Sequence, residues 1–214
     1  MSKDLGPQKY FLGIEVARSP QGLFLCQRKY ALDISSESRM LGAKPAGFPM
    51  EQNHRLTSEF GSPIADTSKY RRLVGRLLYL TITRSDLQYS THILSQFMQD
   101  PRHEHWNAAM RLLCYLTFCP GQGIFLPASN PLHLQAYSDS DWASCPMTHR
   151  SVTGYLLKLG LAPISWKRKK RATVSCSSAE AEYRAMANAT SEVIWTRNLF
   201  EVSWHFRDPY SSLL

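Results

Sequence analysis

No Cys-x-x-Cys pair, no apolar run of membrane-spanning length and no glycine-rich phosphate loop occur in this 214-residue chain. Each absence removes a class of protein. The five cysteines (Cys26, Cys114, Cys119, Cys145 and Cys176) are odd in number and scattered. That argues against a disulfide framework and a zinc knuckle, and for a reducing compartment. Neither His103-Glu104-His105 nor Cys114 with Cys119 has the spacing of a recognised metal site. A bilayer span takes roughly 18 apolar residues or more, and the polar start Met1-Ser2-Lys3-Asp4 has no signal-peptide core. A soluble intracellular protein, in the cytoplasm or nucleus and with no membrane partner, is expected. With no phosphate loop after a strand and no serine in a recognisable triad, no small-molecule substrate is expected either. Internal repeats and low-complexity tracts are also missing.

What is present suits a folded protein. A hydrophobic share of 43% can build a core. The net charge of +8 fits a polyanion partner without requiring one. Three blocks follow along the chain. In the first, residues 1–65, Lys9 to Val16 and Leu23 to Cys26 read as strands joined through Ser19-Pro20-Gln21-Gly22, and proline and glycine there mark a hairpin. A short helix from Arg28 to Ile34 follows, then an irregular stretch over 42–63. The second block, 66–128, is helical. Tyr70, Leu73, Val74, Leu77 and Leu78 form one apolar stripe, with Asp66 and Thr67 as caps. A second helix runs from Ser85-Asp86 to Met98. A third follows Pro101, with Trp106, Ala109, Met110, Leu113 and Cys114 as its stripe. The third block, 129–214, reads strand, strand, strand, helix: Leu132 to Asp141, Ser151 to Leu159, Pro163 to Trp166 with extension toward Val174, and a helix from Ser178 to Phe200. The last fourteen residues show no pattern.

The chemistry concentrates in the third block. Asp139 ends the first strand, and Glu182 opens the helix within Ser177-Ser178-Ala179-Glu180-Ala181-Glu182-Tyr183. Ser177 with Glu180 is a capping box, so Glu180 has a structural role. Two residues apart on a helix is about 200°. Glu180 therefore shares its side with Arg184, and Glu182 lies with Ala185, Met186, Ala189 and Val193, the face expected to meet the sheet. A carboxylate there is costly unless paired or metal-bound, which makes Glu182 the functional candidate; the alternative is a side chain that snorkels at the edge of the stripe. Strand alternation puts Asp139 and Asp141 on one face with Tyr137. Lys167-Arg168-Lys169-Lys170-Arg171 follows Trp166. Five cations in a row could track phosphates, form a solvated edge, or act as an import signal. Arg71, Arg72 and Arg76 on the first long helix admit the same two readings, phosphate contact or a polar face.

Dense motifs then carry a resemblance. Asp4-Leu5-Gly6, Tyr10-Phe11-Leu12-Gly13-Ile14-Glu15, Ala43-Lys44-Pro45, Tyr70-Arg71-Arg72-Leu73-Val74-Gly75, Leu94-Ser95-Gln96-Phe97-Met98, Tyr137-Ser138-Asp139-Ser140-Asp141-Trp142-Ala143, Ser151-Val152-Thr153-Gly154-Tyr155 and Ala179-Glu180-Ala181-Glu182-Tyr183 occur in order. Over residues 4–200 the chain resembles the C-terminal part of a copia-type retrotransposon Pol polyprotein. The resemblance implies an α+β chain: a palm-end β-hairpin of reverse transcriptase over 1–65, a three-helix thumb and connection over 66–128, and an incomplete RNase H-like fold over 129–214. It implies Asp139 and Glu182 as catalytic and metal-binding residues, with Asp139 preferred over Asp141 by alignment. It also implies Mg2+ as cofactor and an RNA–DNA hybrid or single-stranded nucleic acid as partner, contacted by Lys167, Arg168, Lys169, Lys170 and Arg171. Against the family pattern, no Asp-Asp polymerase pair precedes Asp4-Leu5-Gly6, and no later strand with the next catalytic Asp follows the helix. A pair of Mg2+ ions about 4 Å apart needs more carboxylates than two. The expectation is therefore a catalytically inactive Pol segment, or a nucleic-acid-binding module, or an RNase H completed in trans. Without a strand beside it, the segment ending at Asp141 should form an exposed edge.

Overall fold

The computed structural model describes residues 9–205 apart from 52, 53, 55, 60 and 146, with side chains as far as residue 202. The Asp4-Leu5-Gly6 motif, Pro146 and the chain from 206 onward lie outside the described residues. Helices and antiparallel sheets combine in an α+β fold, in two compact units, Met1–Ser129 and Asn130–Leu214.

The first unit holds a sheet of β1 (Tyr10–Phe11), β2 (Ile14–Ser19), β3 (Gly22–Cys26) and β4 (Gly123–Pro127), in that spatial order. The strand expected from Lys9 to Val16 is broken. Leu12 and Gly13 both have positive φ, 49° and 77°, so the chain reverses and Phe11 pairs with Ile14. Tight two-residue hairpins of this hand need left-handed backbone at both central positions. Glycine adopts it freely, whereas leucine does so only under constraint, and the Tyr79 hydroxyl donating to the Leu12 carbonyl supplies one. The β2–β3 hairpin falls where proline and glycine place it, closing at Ser19 and Gly22. β4 is a further correction. The sequence reading leaves 123–127 inside the helical block, yet Gly123–Pro127 pairs with β3 along its whole length. Its period is too short to show, and its partner lies far away in sequence.

Four helices build the core of this unit: α1 (Arg28–Glu37), α2 (Thr67–Leu80), α3 (Gln88–Ser95, entered through a 3-10 turn at Ser85–Leu87) and α4 (His103–Phe118). Asp66 caps α2 as expected, its Oδ1 accepting from the Lys69 N–H at 2.9 Å. Tyr70, Leu73, Val74 and Leu77 are buried against Leu94 of α3 and Leu112, Leu113 and Leu116 of α4. The buried stripe of α4 is His105, Ala109, Leu112, Leu113 and Leu116, rotated from the one expected. Trp106 is only partly buried and sits beneath the Lys69 ammonium, 4.9 Å from the ring centre, an arrangement its π-face favours.

His105 shows why the phase moved. Its ring stacks on Phe97 with 3.8 Å between centres. Nδ1 accepts from the Arg102 N–H at 2.9 Å, so Nε2 carries the proton and donates to the Thr57 carbonyl at 3.0 Å. The imidazole caps α4 and ties Thr57 to it. Burial holds its pKa below 6.5; the Thr57 hydrogen bond and the charge of Glu104 counter this only in part. Burial lowers His54 as well, beside the Tyr89 hydroxyl. A histidine with a lowered folded pKa binds more protons unfolded than folded, so stability rises with pH across the window from the folded pKa up to about 6.5. The urea midpoint is expected to fall as pH drops through that window, with a shallower fall in His105→Gln.

The second unit contains β5 (Leu134–Asp141), β6 (Val152–Leu159), β7 (Ala162–Lys170) and α5 (Ser178–His205). The strand order is β5-β6-β7, all antiparallel. Helix α5 packs against β5 and β6. Its buried positions are Ala181, Ala185, Ala189 and Thr196, one helical stripe of small residues that lets the helix lie close to the sheet. Beneath it Leu157, Thr153 and Ala162 are buried. Among the described residues no strand pairs with the outer edge of β5.

Candidate functional site

Half of the expected capping box forms at the start of α5, and the return bond from Glu180 goes one residue further back than the cap. Ser177 Oγ accepts from the Glu180 N–H at 3.1 Å. Glu180 Oε2 accepts from the Cys176 N–H at 2.6 Å, and the other oxygen pairs with Arg184 at 2.5 Å. These contacts, led by the Cys176 hydrogen bond, hold the Glu180 carboxyl below its ordinary value. Glu182 departs from expectation. The sheet-facing stripe centres on Ala181, about 100° away, and Glu182 is exposed. It takes the position at the edge of the stripe, so burial places no demand on its charge.

Strand register decides which way the acidic residues of β5 face. Ala136, Leu157 and Ser165 lie side by side across the three strands. Ser165 Oγ donates to Glu192 Oε1 on α5 at 2.7 Å, so this row meets the helix. Three residues after Ala136 the alternation is reversed. Asp139 lies in a row with Gly154 and Arg168, and Asp141 in a row with Val152 and Lys170, both on the face turned away from α5. Asp139 is exposed. Asp141 forms an ion pair with Arg168. Among the described residues no three His, Cys, Asp or Glu side chains come together in a way that could hold a metal ion. The described residues thus do not fit a two-ion centre.

Alternation also divides the basic run. Lys167 and Lys169 share a face with Ser165 and are exposed. Arg168 is committed to Asp141. Lys170 hydrogen-bonds the buried Cys145, whose thiol burial alone would raise. The bonds from Lys170, Thr148 and the backbone at 147 and 148 outweigh that and bring it down to about 7. Arg171 is half-buried, and its N–H donates to the Ser151 carbonyl at 2.9 Å. Two groups were not legible in the sequence. One is the set Tyr155, Ser165 and Glu192, in which the Tyr155 hydroxyl lies 3.5 Å from Ser165 Oγ and its pKa is raised, first by burial. The other is the Asp141–Arg168 pair. Asp141 and Arg168 stand on the two strands that flank β6, so their meeting depends on two registers and on the irregularity at Leu157/Lys158.

Comparison with known proteins supplies the family. The chain is 49% identical over 190 residues to the retrovirus-related Pol polyprotein from transposon RE2 of Arabidopsis thaliana, covering 89% of this chain and 13% of that protein. It is 46% identical over 197 residues to the corresponding protein from transposon RE1 of the same plant, covering 92% and 13%. It is 42% identical over 195 residues to an uncharacterized mitochondrial protein of Arabidopsis thaliana, covering 91% of this chain and 80% of that one. This chain belongs to the copia-type retrotransposon Pol polyproteins. The Pol segment spans about an eighth of the two transposon relatives, 13% of each. No family model and no solved structure matches it. No helix among its described residues is long and apolar enough to cross a membrane.

Proposed function

We propose that this Pol segment joins the end of a reverse transcriptase to part of an RNase H-type domain, and that the chain as it stands binds nucleic acid without cleaving it. In this reading the ancestral activities are RNA-dependent DNA synthesis and Mg2+-dependent cleavage of RNA in RNA–DNA hybrids. Asp139 and Glu182 are the inherited carboxylates of the nuclease, set here on opposite sides of the sheet, where they do not share a metal ion. One observation carries the reading: Asp139 and Asp141 face away from α5, Asp141 is neutralised by Arg168, and Glu182 is exposed on the helix packed against the other face. Mg2+ asks for near-octahedral oxygen coordination, and two-ion hydrolysis asks for it twice within about 4 Å. The exposed Lys167 and Lys169 support phosphate contact.

The decisive experiment incubates the chain with Mg2+ and a fluorescein-labelled RNA–DNA hybrid. Binding that weakens as salt rises, with no cleavage of the RNA strand, is expected. In Lys167→Ala with Lys169→Ala the slope of log affinity against log salt should fall by about two. Cleavage that Asp139→Asn abolishes would sink the inactive reading. Among the described residues the outer edge of β5 has no partner strand, which favours a second reading, in which another chain adds a strand and its carboxylates there.

A further inference from the structure

A hydroxyl stands just beyond the basic end of β7, in Lys170-Arg171-Ala172-Thr173-Val174. Among the serines and threonines of the chain, only Thr173 has Lys or Arg at both the second and the third position before it. We infer that Thr173 is a phosphorylation site for a kinase that selects basic residues ahead of its acceptor, and that Arg184 of α5 receives the phosphate. Such a kinase holds its substrate through carboxylates that pair with the cations, so charge pattern decides which hydroxyl is used.

The fold presents this segment. The Arg171 N–H donates to the Ser151 carbonyl at 2.9 Å, and there the chain leaves the sheet. Ala172, Thr173 and Val174 are all exposed. The chain is held again at Ser175, whose carbonyl accepts from Trp142 Nε1 at 3.1 Å. Among the described residues β7 has one neighbour, β6, so its last pairs can open as a kinase cleft closes round the segment. Lys169 is exposed and Arg171 half-buried. Lys170 must leave the Cys145 thiol to join them, so recognition falls first on Arg171 and Lys169. The hydroxyls nearby are less suited. Ser175 is 2% exposed, and Ser177 Oγ is engaged with the Glu180 N–H.

In the transfer, Thr173 Oγ1 attacks the γ-phosphorus of ATP. The Oγ1–P bond forms as the bond from that phosphorus to the β–γ bridging oxygen breaks. ADP leaves, and the hydroxyl proton passes to the catalytic carboxylate of the kinase. Arg184 is already in place. Its Nη1 donates to Thr173 Oγ1 at 2.9 Å, so the oxygen is the acceptor there and its own proton takes no part in that contact. Nη2 of the same guanidinium pairs with Glu180 Oε1 at 2.5 Å. A phosphate on Thr173 carries about −1.5 to −2 charges and three acceptor oxygens, against a single charge on Glu180. It draws the planar fork of Arg184 to itself and pins the loop between β7 and α5 to the helix. Glu180 keeps its bond from the Cys176 N–H.

The test treats the folded chain with ATP, Mg2+ and cyclic-AMP-dependent protein kinase, and locates the phosphate by tandem mass spectrometry. Thr173 is expected to be the main acceptor. Thr173→Ala should lower incorporation about tenfold or more, Thr173→Ser should retain it, and Arg171→Ala should slow it about tenfold. A phosphorus NMR titration of the phosphorylated chain then examines Arg184. The second ionisation of the phosphate, ordinarily at about pH 6, should have a lower midpoint in the wild type than in Arg184→Ala, because the guanidinium favours the dianion. Where Arg184→Ala fails to fold, shown by circular dichroism, Arg184→Gln takes its place. Phosphate that goes instead to Thr57 or Ser58, which follow Arg55, overturns the site. So does incorporation undiminished in Thr173→Ala, or a wild-type chain that stays unlabelled. Equal midpoints in the wild type and the variant overturn the role given to Arg184.

Discussion

Arg84→Ala is expected to destabilise the first unit by about 3–5 kcal/mol, read as a drop in the urea midpoint at constant slope. The guanidinium is only 2% exposed. It grips Asp86 with two hydrogen bonds, Nε to Oδ1 at 2.9 Å and Nη2 to Oδ2 at 2.8 Å. Nη1 donates to the Cys119 carbonyl at the end of α4 at 2.8 Å, and the cation stands 5.7 Å from the centre of the Tyr115 ring. Tyr115 in turn donates to Asp86 Oδ2 at 3.0 Å; burial and the charge of Asp86 push its phenol up to about 12. Burial alone would lower the arginine pKa, but Asp86 outweighs it and the net shift is upward. Removing the cation leaves the Asp86 carboxylate with the Tyr115 hydroxyl as its remaining donor among these contacts and strips a helix-end carbonyl of its own, which is the costly case. Asp86→Ala should cost a similar amount. The double variant Arg84→Met, Asp86→Leu should recover much of the loss, because it leaves no unpaired charge. A cycle in which the two single losses simply add would contradict this account.

Leu157→Ala should unfold the second unit. The loss at a buried leucine is about 2–5 kcal/mol, and this unit has little to set against it. Among the described residues of this unit, Leu157, 1% exposed, is the one large apolar side chain that is fully buried. The other buried positions between sheet and helix are alanine and threonine, which bury little area each. Hydrogen exchange is the measurement to use, because it reports the two units separately. Amides of β5, β6, β7 and α5 should lose protection, while those of α2 and α4 keep theirs. Uniform loss over the whole chain would show that the two units unfold together.

Long amphipathic periods and local turn chemistry were legible in the sequence. The stripe and cap of α2, the β2–β3 hairpin, the Ser177 cap of α5 and the order of elements from Leu134 to α5 all follow from residues a few positions apart. What was hidden depends on distant partners or on a choice of face. β4 is five residues long and becomes a strand only because β3 lies beside it. The phase of α5 was misjudged because alanine is small and weakly hydrophobic. Met186 and Val193 look like the better core residues, yet Met186 is 53% exposed, and a helix lined by Ala181, Ala185 and Ala189 turns those toward the sheet to approach it closely. His105 counts as polar in any hydrophobic pattern, but with both ring nitrogens satisfied it is buried as readily as a leucine. The facing of Asp139 follows from register alone, and could be counted once Ser165 was known to meet the helix.

The pairing of β3 with β4 also bears on how the chain folds. It joins Gly22 to Pro127 and Cys26 to Gly123, so the first sheet can close only by a loop of about a hundred residues, and the entropy of such closure comes before any contact rewards it. Among the helices between them, α2 with α3 and α3 with α4 are near neighbours, while α1 must also wait for α4. As the chain leaves a ribosome, α1 to α4 can gather while β3 still presents an open edge, and that edge stays available to other chains until residue 127 has emerged. The two-strand hairpin that forms earliest in sequence is thus part of the sheet that finishes late.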